Sequence, residues 1–380
     1  MSGKVKATSA SLALVFPSSS SSSSSRNRKT KSGVKCKCVR GRGRERERWE
    51  VAAVTCSFAA RRSSGSRSFG REVIATERRK SSAALVMAAA SSGSASGTGE
   101  RDLLVVGPGV LGKLLAKQWK DSYPGFQVVG ETATDMNHES LQASGCFDGL
   151  RSREGGMEST TKYPFVVFAA PPSGSENYLE EVERAVDKWD GTGTFLFTSS
   201  AAVYDVETGP CNEESKVKAM GDSERTDRLL ACENAVLEKG GNVVRLVGLY
   251  HSKRGAHMYF LKIQTVPRWG ESCINLIHYE DAADLCYKIL VGEEDGEAAA
   301  GYHRGQIFLG CDNNPVSFQK MMDATFLSGE YKGHCKFTGE AQEFVGKLAT
   351  NNLTRERLSW EPKFESYEAF MSQGAKDTFV

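Results

Sequence analysis

From residue 101 onward, short apolar runs alternate with longer segments whose apolar side chains recur every three or four positions. Leu103 to Val106 is an unbroken apolar run and reads as a buried strand. Leu111, Leu114, Leu115 and Trp119 then share one helical face. Phe126 to Gly130 reads as a second strand. Pro164 to Ala170 is apolar throughout, as a parallel strand covered on both faces requires. Glu176 to Trp189 reads as a helix with Leu179, Val182, Val186 and Trp189 on one face and carboxylates in its first turn. Thr194 to Thr198 is a strand, Asp227 to Glu238 a helix with Leu229, Leu230 and Val236 turned inward, and Asn242 to Gly248 a strand. This βαβ alternation predicts an α/β fold on a doubly wound parallel sheet. Right-handed crossovers place the strand C-termini, and any site, along one edge.

After Gly248 the pattern loosens. Residues 251–272 mix Gly, Pro and cations and read as irregular chain. Ile274 to Ile277 and Gln306 to Leu309 read as strands, the second returning to the sheet over 306–310. Glu280 to Leu290 and Pro315 to Phe326 read as helices, and 327–380 gives weak signals. Residues 251–380 are therefore expected to form a smaller C-terminal lobe on the substrate side.

The first hundred residues have no such period. Eight serines run from Ser18 to Ser25, and Arg40 to Arg48 alternates arginine with Gly and Glu. This part holds 20 Lys and Arg against 6 Asp and Glu, and the remainder 29 against 41, so a net charge of +2 hides two opposite parts. Such a composition buries too little apolar surface to offset chain entropy, and predicts a disordered leader. A Ser- and Arg-rich, acid-poor N-terminus reads as an organelle transit peptide over 1–88, cut after Ala88, with 89–100 as linker. Its serine content favours the chloroplast stroma, with the mitochondrion as alternative.

Leu12 to Phe16 is too short for a secretory core or a membrane span, and no later run reaches 18 apolar residues. No membrane association is expected. A basic tail for nucleic acid is the competing reading of the leader. The acidic remainder shows no basic stripe with interleaved aromatics, so no nucleic-acid partner is expected. Cys36, Cys38 and Cys56 fall in the leader. The other seven cysteines are scattered, with no pair at zinc spacing, and read as reduced thiols. His257 and His303 have no partners at ligand spacing, so no metal is expected.

Between the first strand and helix stands Gly107-Pro108-Gly109-Val110-Leu111-Gly112, at G-x-G-x-x-G spacing. Such glycines let the backbone turn tightly and approach a pyrophosphate, while the helix N-terminus supplies free N–H groups and the positive end of its dipole. The motif has the strand before it and the helix after it. That assigns residues 101–250 to a Rossmann-type domain for NAD or NADP. Glu131 follows Gly107 by 24 positions and would accept hydrogen bonds from the adenosine ribose, which favours NAD because a 2′-phosphate would be repelled. Ala169, Ala170 and Pro171 close the next strand with small residues that can admit the adenine. A solvated strand end and a simple turn are the plainer readings of these two features. Thr198-Ser199-Ser200 closes a further strand with hydroxyls, suited to a substrate oxygen or to capping.

The order Gly107 to Gly112, Phe197-Thr-Ser-Ser-Ala-Ala-Val-Tyr204, Arg245-Leu-Val-Gly-Leu-Tyr250 and Asn275-Leu-Ile-His-Tyr-Glu-Asp-Ala-Ala283 resembles the extended short-chain dehydrogenase/reductases, among them NAD-dependent epimerases and dehydratases acting on nucleotide sugars. The stretch Leu348 to Trp360 resembles that family's C-terminal lobe, and the likeness covers about 101–375. It implies a catalytic Ser, matched by Ser200, with Ser199 beside the cofactor. It also implies a Tyr and Lys at Y-x-x-x-K spacing on the next helix. Anchored on Ala231-Cys-Glu233, those places hold Arg225 and Leu229.

Three readings follow. Tyr204 acts as a substitute acid, its pKa lowered by Arg225. Or Ser200 and the cofactor support different chemistry. Or the protein binds a dinucleotide without turnover and regulates or docks a partner in the plastid. Loss of the relay removes a rate factor of about 10²–10⁴. Arg254 and His278 stand where the resemblance implies contacts to an anionic small-molecule substrate. Asp281 is the acid that would orient His278, although capping and loop-fixing roles explain this pair as well. Relatives dimerise through helices matching Glu176–Trp189 and Asp227–Glu238, which implies a homodimer. A plastid role with RNA is a further implication that the acidic charge opposes.

Overall fold

The computed structural model describes residues 98–153, 160–173, 175–292, 302–343 and 345–379, all within the compact unit Ala88–Val380. The transit peptide expected over 1–88 and nearly all of the 89–100 linker lie outside the described residues.

Seven parallel strands form the central sheet: β1 Leu103–Val106, β2 Val128–Thr132, β3 Gly149–Ser152, β4 Phe165–Phe168, β5 Phe195–Ser200, β6 Asn242–Leu246 and β7 Ile307–Gly310, in the order β7-β6-β5-β4-β1-β2-β3. The expected doubly wound sheet is therefore present, with β1 and β4 at the centre, where the strand order reverses. β1 and β4 are buried at every position. That is why they read as continuous apolar runs: helices cover both faces.

Helices α1 (Val110–Ser122), α2 (His138–Ala143), α3 (Tyr178–Asp187), α4 (Glu224–Glu238), α5 (Ala256–Ile263), α6 (Tyr279–Val291), α7 (Phe318–Leu327), α8 (Asn352–Leu358) and α9 (Tyr367–Ser372) complete the described helices. Alternation in the strands sorts the core into two layers. Leu103 and Val105 pack under α1 and α6, against Leu115, Trp119, Cys286 and Ile289. Leu104 and Val106 pack on the other face under α3 and α4, against Tyr178, Val182, Leu229 and Val236.

A third cluster, with Tyr250, Phe260, Phe318, Met321 and Phe370, holds α5, α7 and α9 together. Gly248–Tyr250 pairs in parallel with Leu276–His278, and α6 begins directly after it. Among the elements not expected are the short helices α2, α8 and α9, and two others. β3 is a short outer strand of half-buried residues, and α5 lies inside the segment read as irregular.

Candidate functional site

The turn from β1 into α1 is built by glycine for three separate reasons. Gly107 sits at φ +86°, and a Cβ on it would come within 2.6 Å of Ala170 Cα. The first turn thus lies against the end of β4, where Ala169 N donates to Val106 O at 2.8 Å and Tyr178 Oη donates to Ala170 O at 2.8 Å. A Cβ on Gly112 would meet Gly107 O and Val105 Cγ1, both at 2.9 Å, so this glycine seats α1 on the sheet. Around Gly109 the same construction meets nothing within 4 Å. Pro108 is buried, Gly109 is exposed and Leu111 is turned into the core.

Helix α1 starts at Gly109 without a side-chain cap and has no acid in its first turn. Its first N–H groups are therefore left for a ligand, with the dipole behind them. An open cradle over uncapped amides fits a dinucleotide pyrophosphate. Ala169 and Ala170 are half-buried and Pro171 exposed beside it, which leaves the β4 end open at that edge.

Other expected groups are used differently. Glu131 is buried, and its Oε2 accepts from Arg151 Nε at 2.7 Å and Lys188 Nζ at 2.6 Å. Both cations fall on that one oxygen. Ser199 is also buried, and its hydroxyl donates to Glu233 Oε1 at 2.5 Å on the α4 side. Ser200 is half-buried at the end of β5, where its Oγ accepts from Ala202 N at 3.2 Å.

Tyr204 cannot serve as the substitute acid. It is 0 % exposed, and its hydroxyl has no hydrogen-bond partner among the described residues. Burial pushes its pKa up to about 12, opposite to what proton transfer needs. The cation over its ring is Arg245, 4.8 Å from the centroid, not Arg225. Arg225 lies exposed on α4, while Leu229, in the place of the relay lysine, is buried in the core.

His278 and Asp281 do not form a pair. His278 Nδ1 accepts from Glu280 N at 3.2 Å and so caps α6, and its Nε2 lies 3.1 Å from Asp377 Oδ1. The ring is buried among Phe364, Phe370 and Tyr250, so it offers nothing to a substrate. Asp281 accepts from Lys363 N and Phe364 N instead, tying down the chain before α9. Arg254 is exposed, with its guanidinium 5.9 Å from the centre of the Tyr279 ring.

Three groups had no local signal. Lys347 Nζ donates to Ala201 O at 3.2 Å and to Tyr204 O at 3.1 Å, clamping the turn that follows Ser200. Asp377 accepts from Ser252 N at 3.0 Å and from Ser252 Oγ, drawing the C-terminal tail onto the loop after Tyr250. Arg245 pairs with Glu233 at 2.7 Å between β6 and α4. Each arises from long-range packing, which local periodicity does not report.

No protein-family model matches the chain, and no curated protein matches it. Solved structures do. A functionally unknown conserved protein from Silicibacter pomeroyi is 18% identical with a TM-score of 0.57, covering 73% of this chain and 99% of its own. A UDP-glucuronic acid 4-epimerase from Bacillus cereus, in complex with UDP-glucuronic acid and NAD, is 15% identical with a TM-score of 0.56, covering 71% and 96%. A short-chain dehydrogenase/reductase superfamily protein from Agrobacterium tumefaciens with bound NAD is 14% identical with a TM-score of 0.52, covering 72% and 95%. This chain shares their fold. The likeness spans nearly the whole of each neighbour, both the sheet and the part that follows it.

Proposed function

We propose that this protein is an atypical extended short-chain dehydrogenase/reductase that binds a nicotinamide dinucleotide at the glycine turn, without the family's Tyr–Lys proton relay. The observation that carries the reading is the cradle itself: open space at Gly109, uncapped amides at the start of α1, and glycines at 107 and 112 that the backbone requires. The fold neighbours that hold NAD support the same ligand class. The bound group would supply hydride transfer. The first-turn amides of α1 would hold its pyrophosphate, and Ser200, half-buried at the β5 end, would orient a substrate oxygen. Exposed Lys253 and Arg254 support an anionic substrate of sugar-nucleotide type, the class bound by the epimerase neighbour.

A second reading, a plastid regulatory or docking protein that binds the dinucleotide without turnover, is favoured by one observation. The relay places hold an exposed arginine and a core leucine. The same proposal takes residues 1–88 as a chloroplast transit peptide and the outer faces of α3 and α4 as a homodimer contact, to be checked by reporter fusion and sedimentation. Titration of the purified protein with NADH and NADPH, followed by a turnover screen on sugar nucleotides, tests the function. Binding with turnover supports the enzyme. Binding without turnover across the panel supports the regulator. No binding at millimolar dinucleotide overturns both.

A further inference from the structure

The turn that carries Lys253 and Arg254 is held by the far end of the chain. It leaves the same edge of the sheet as Ser200: Ser200 is the register partner of Leu246, and the chain runs from there through Gly248–Tyr250 into His251. His251 N donates to Arg254 O at 2.9 Å and Arg254 N to His251 O at 3.1 Å, closing a tight four-residue turn. Lys253 N also donates to His251 Nδ1 at 3.2 Å. Gly255 leaves the turn at φ +140°, where a Cβ would meet Tyr250 Cβ at 2.9 Å. The two cations at the tip stay exposed.

Ser252 anchors this turn. Its N–H and its hydroxyl both donate to the Asp377 carboxylate, and Tyr331 Oη donates to its carbonyl at 2.6 Å. The Asp377 side chain is only 5% exposed. His278 Nδ1 accepts from Glu280 N, so its Nε2 carries the hydrogen and donates to Asp377 Oδ1 at 3.1 Å. The route of the tail is equally fixed. Gly374 at φ +80° and Ala375 at φ +50° turn the chain back after α9. An alanine holds that conformation only where its surroundings impose it, and Ala375 is buried in the cluster with Tyr250 and Phe370. Just past Asp377, Thr378 N and Phe379 N donate to Glu280 Oε1 at 2.7 and 3.1 Å.

We propose that Asp377 is a positioning residue for an anionic sugar-nucleotide substrate: it holds Ser252 so that Lys253 and Arg254 meet the ligand already arranged. The proposal rests on the reading above of those two cations as substrate contacts. Cations on a loose loop lose conformational freedom when they close on an anion, whereas a turn fixed beforehand does not. Asp377 acts through the backbone of the turn.

Calorimetric titration of the full-length protein with UDP-glucuronic acid tests it. In Asp377→Asn only one of the two terminal atoms can accept, where both carboxylate oxygens accept now. The Kd is expected to rise about tenfold. An unchanged Kd overturns the proposal and leaves the substrate reading standing. A parent that does not bind at millimolar ligand overturns that reading and the proposal together, and the NADH titration judges the dinucleotide separately. Arg254→Gln is also expected to weaken binding about tenfold, and an unchanged Kd overturns the proposal. Added to Arg254→Gln, Asp377→Asn is expected to cost no more than about a further threefold, because the charge it positions is gone. The full loss in both backgrounds makes Asp377 a general support of the fold and overturns the proposal. Should Arg254→Gln abolish measurable binding, Lys253→Gln takes its place in the comparison. Should Asp377→Asn not fold, Ser252→Ala, which removes one of the bonds, is expected to raise the Kd about threefold or more, and no change overturns the proposal.

Discussion

At the scale of single residues, two of the three motif glycines are required by the fold, and the third faces open space. A side chain at Gly112 collides with Gly107 O and Val105, whereas one at Gly109 enters open space from a backbone with φ −74° that any residue adopts. Gly109→Val is therefore expected to melt within about 1 kcal/mol of the parent and to lose dinucleotide binding. Gly112→Val is expected to lose about 1–3 kcal/mol of stability through overpacking. Thermal melts and cofactor titrations on the two variants separate these roles. The motif spacing alone cannot, because all three positions read alike in the sequence. Tyr204 is the converse case. Its place after Ser200 suggests an acid, but its hydroxyl is buried and unpaired. Tyr204→Phe is expected to leave stability within about 1.5 kcal/mol, because the hydroxyl loses at most its contact with Arg245 beside it. It is also expected to leave any turnover and its pH profile unchanged, and a lost activity would return Tyr204 to the chemistry.

At the scale of elements, α4 is held by an apolar face and by one buried ion pair. Its apolar face, Leu229, Leu230 and Val236, was legible as helical spacing and packs as expected. What holds its polar side is Glu233, buried with Arg245 at 2.7 Å and receiving the Ser199 hydroxyl. Glu233→Gln leaves the Arg245 charge uncompensated in the interior and is expected to cost about 3–5 kcal/mol in chemical denaturation. A Glu233→Met, Arg245→Met double variant is expected to recover much of that loss, since an apolar pair of similar volume removes both desolvation penalties. The elements the sequence hid have physical reasons. β3 is short and bordered by only one neighbour in the sheet, so its half-buried residues need no apolar alternation. The apolar face of α5 is completed by Phe318 and Phe337 from distant segments, and the Gly, Pro and cations around it mask its period.

At the scale of the whole molecule, the chain after β6 is held by buried carboxylates brought together from far apart in sequence. Asp281 takes two amides before α9, and Asp312 takes Asn314 N while its Oδ2 has no partner among the described residues. Burial pushes both pKa values up to about 7, with Asp284 and Glu280 adding to the rise at Asp281 and Asp281 adding to that at Asp312. An acid raised in the folded state binds protons there that the unfolded chain has lost, so this contribution to stability falls as pH rises from about 4 to about 7 and is flat above. Asp377 and Glu280, whose hydrogen bonds hold their carboxyls below the usual range, contribute stability that is lost only in stronger acid. Asp312→Asn is thus expected to raise the melting temperature at pH 8, by about 2–4 °C for each kcal/mol recovered, and to have little effect near pH 4. Melts of parent and variant across that range check the sign. The apolar runs and the glycine spacing by themselves determined the parallel sheet, its two helical layers and the place of the glycine turn, because strand burial and tight turns are set by neighbours a few residues away. Only the tertiary structure decided that Glu131 pairs with Arg151 and Lys188, that Tyr204 is sealed beneath Arg245 and that the C-terminal tail closes on Ser252. Each depends on which distant charge or ring shares the same buried space, and no local pattern carries that information.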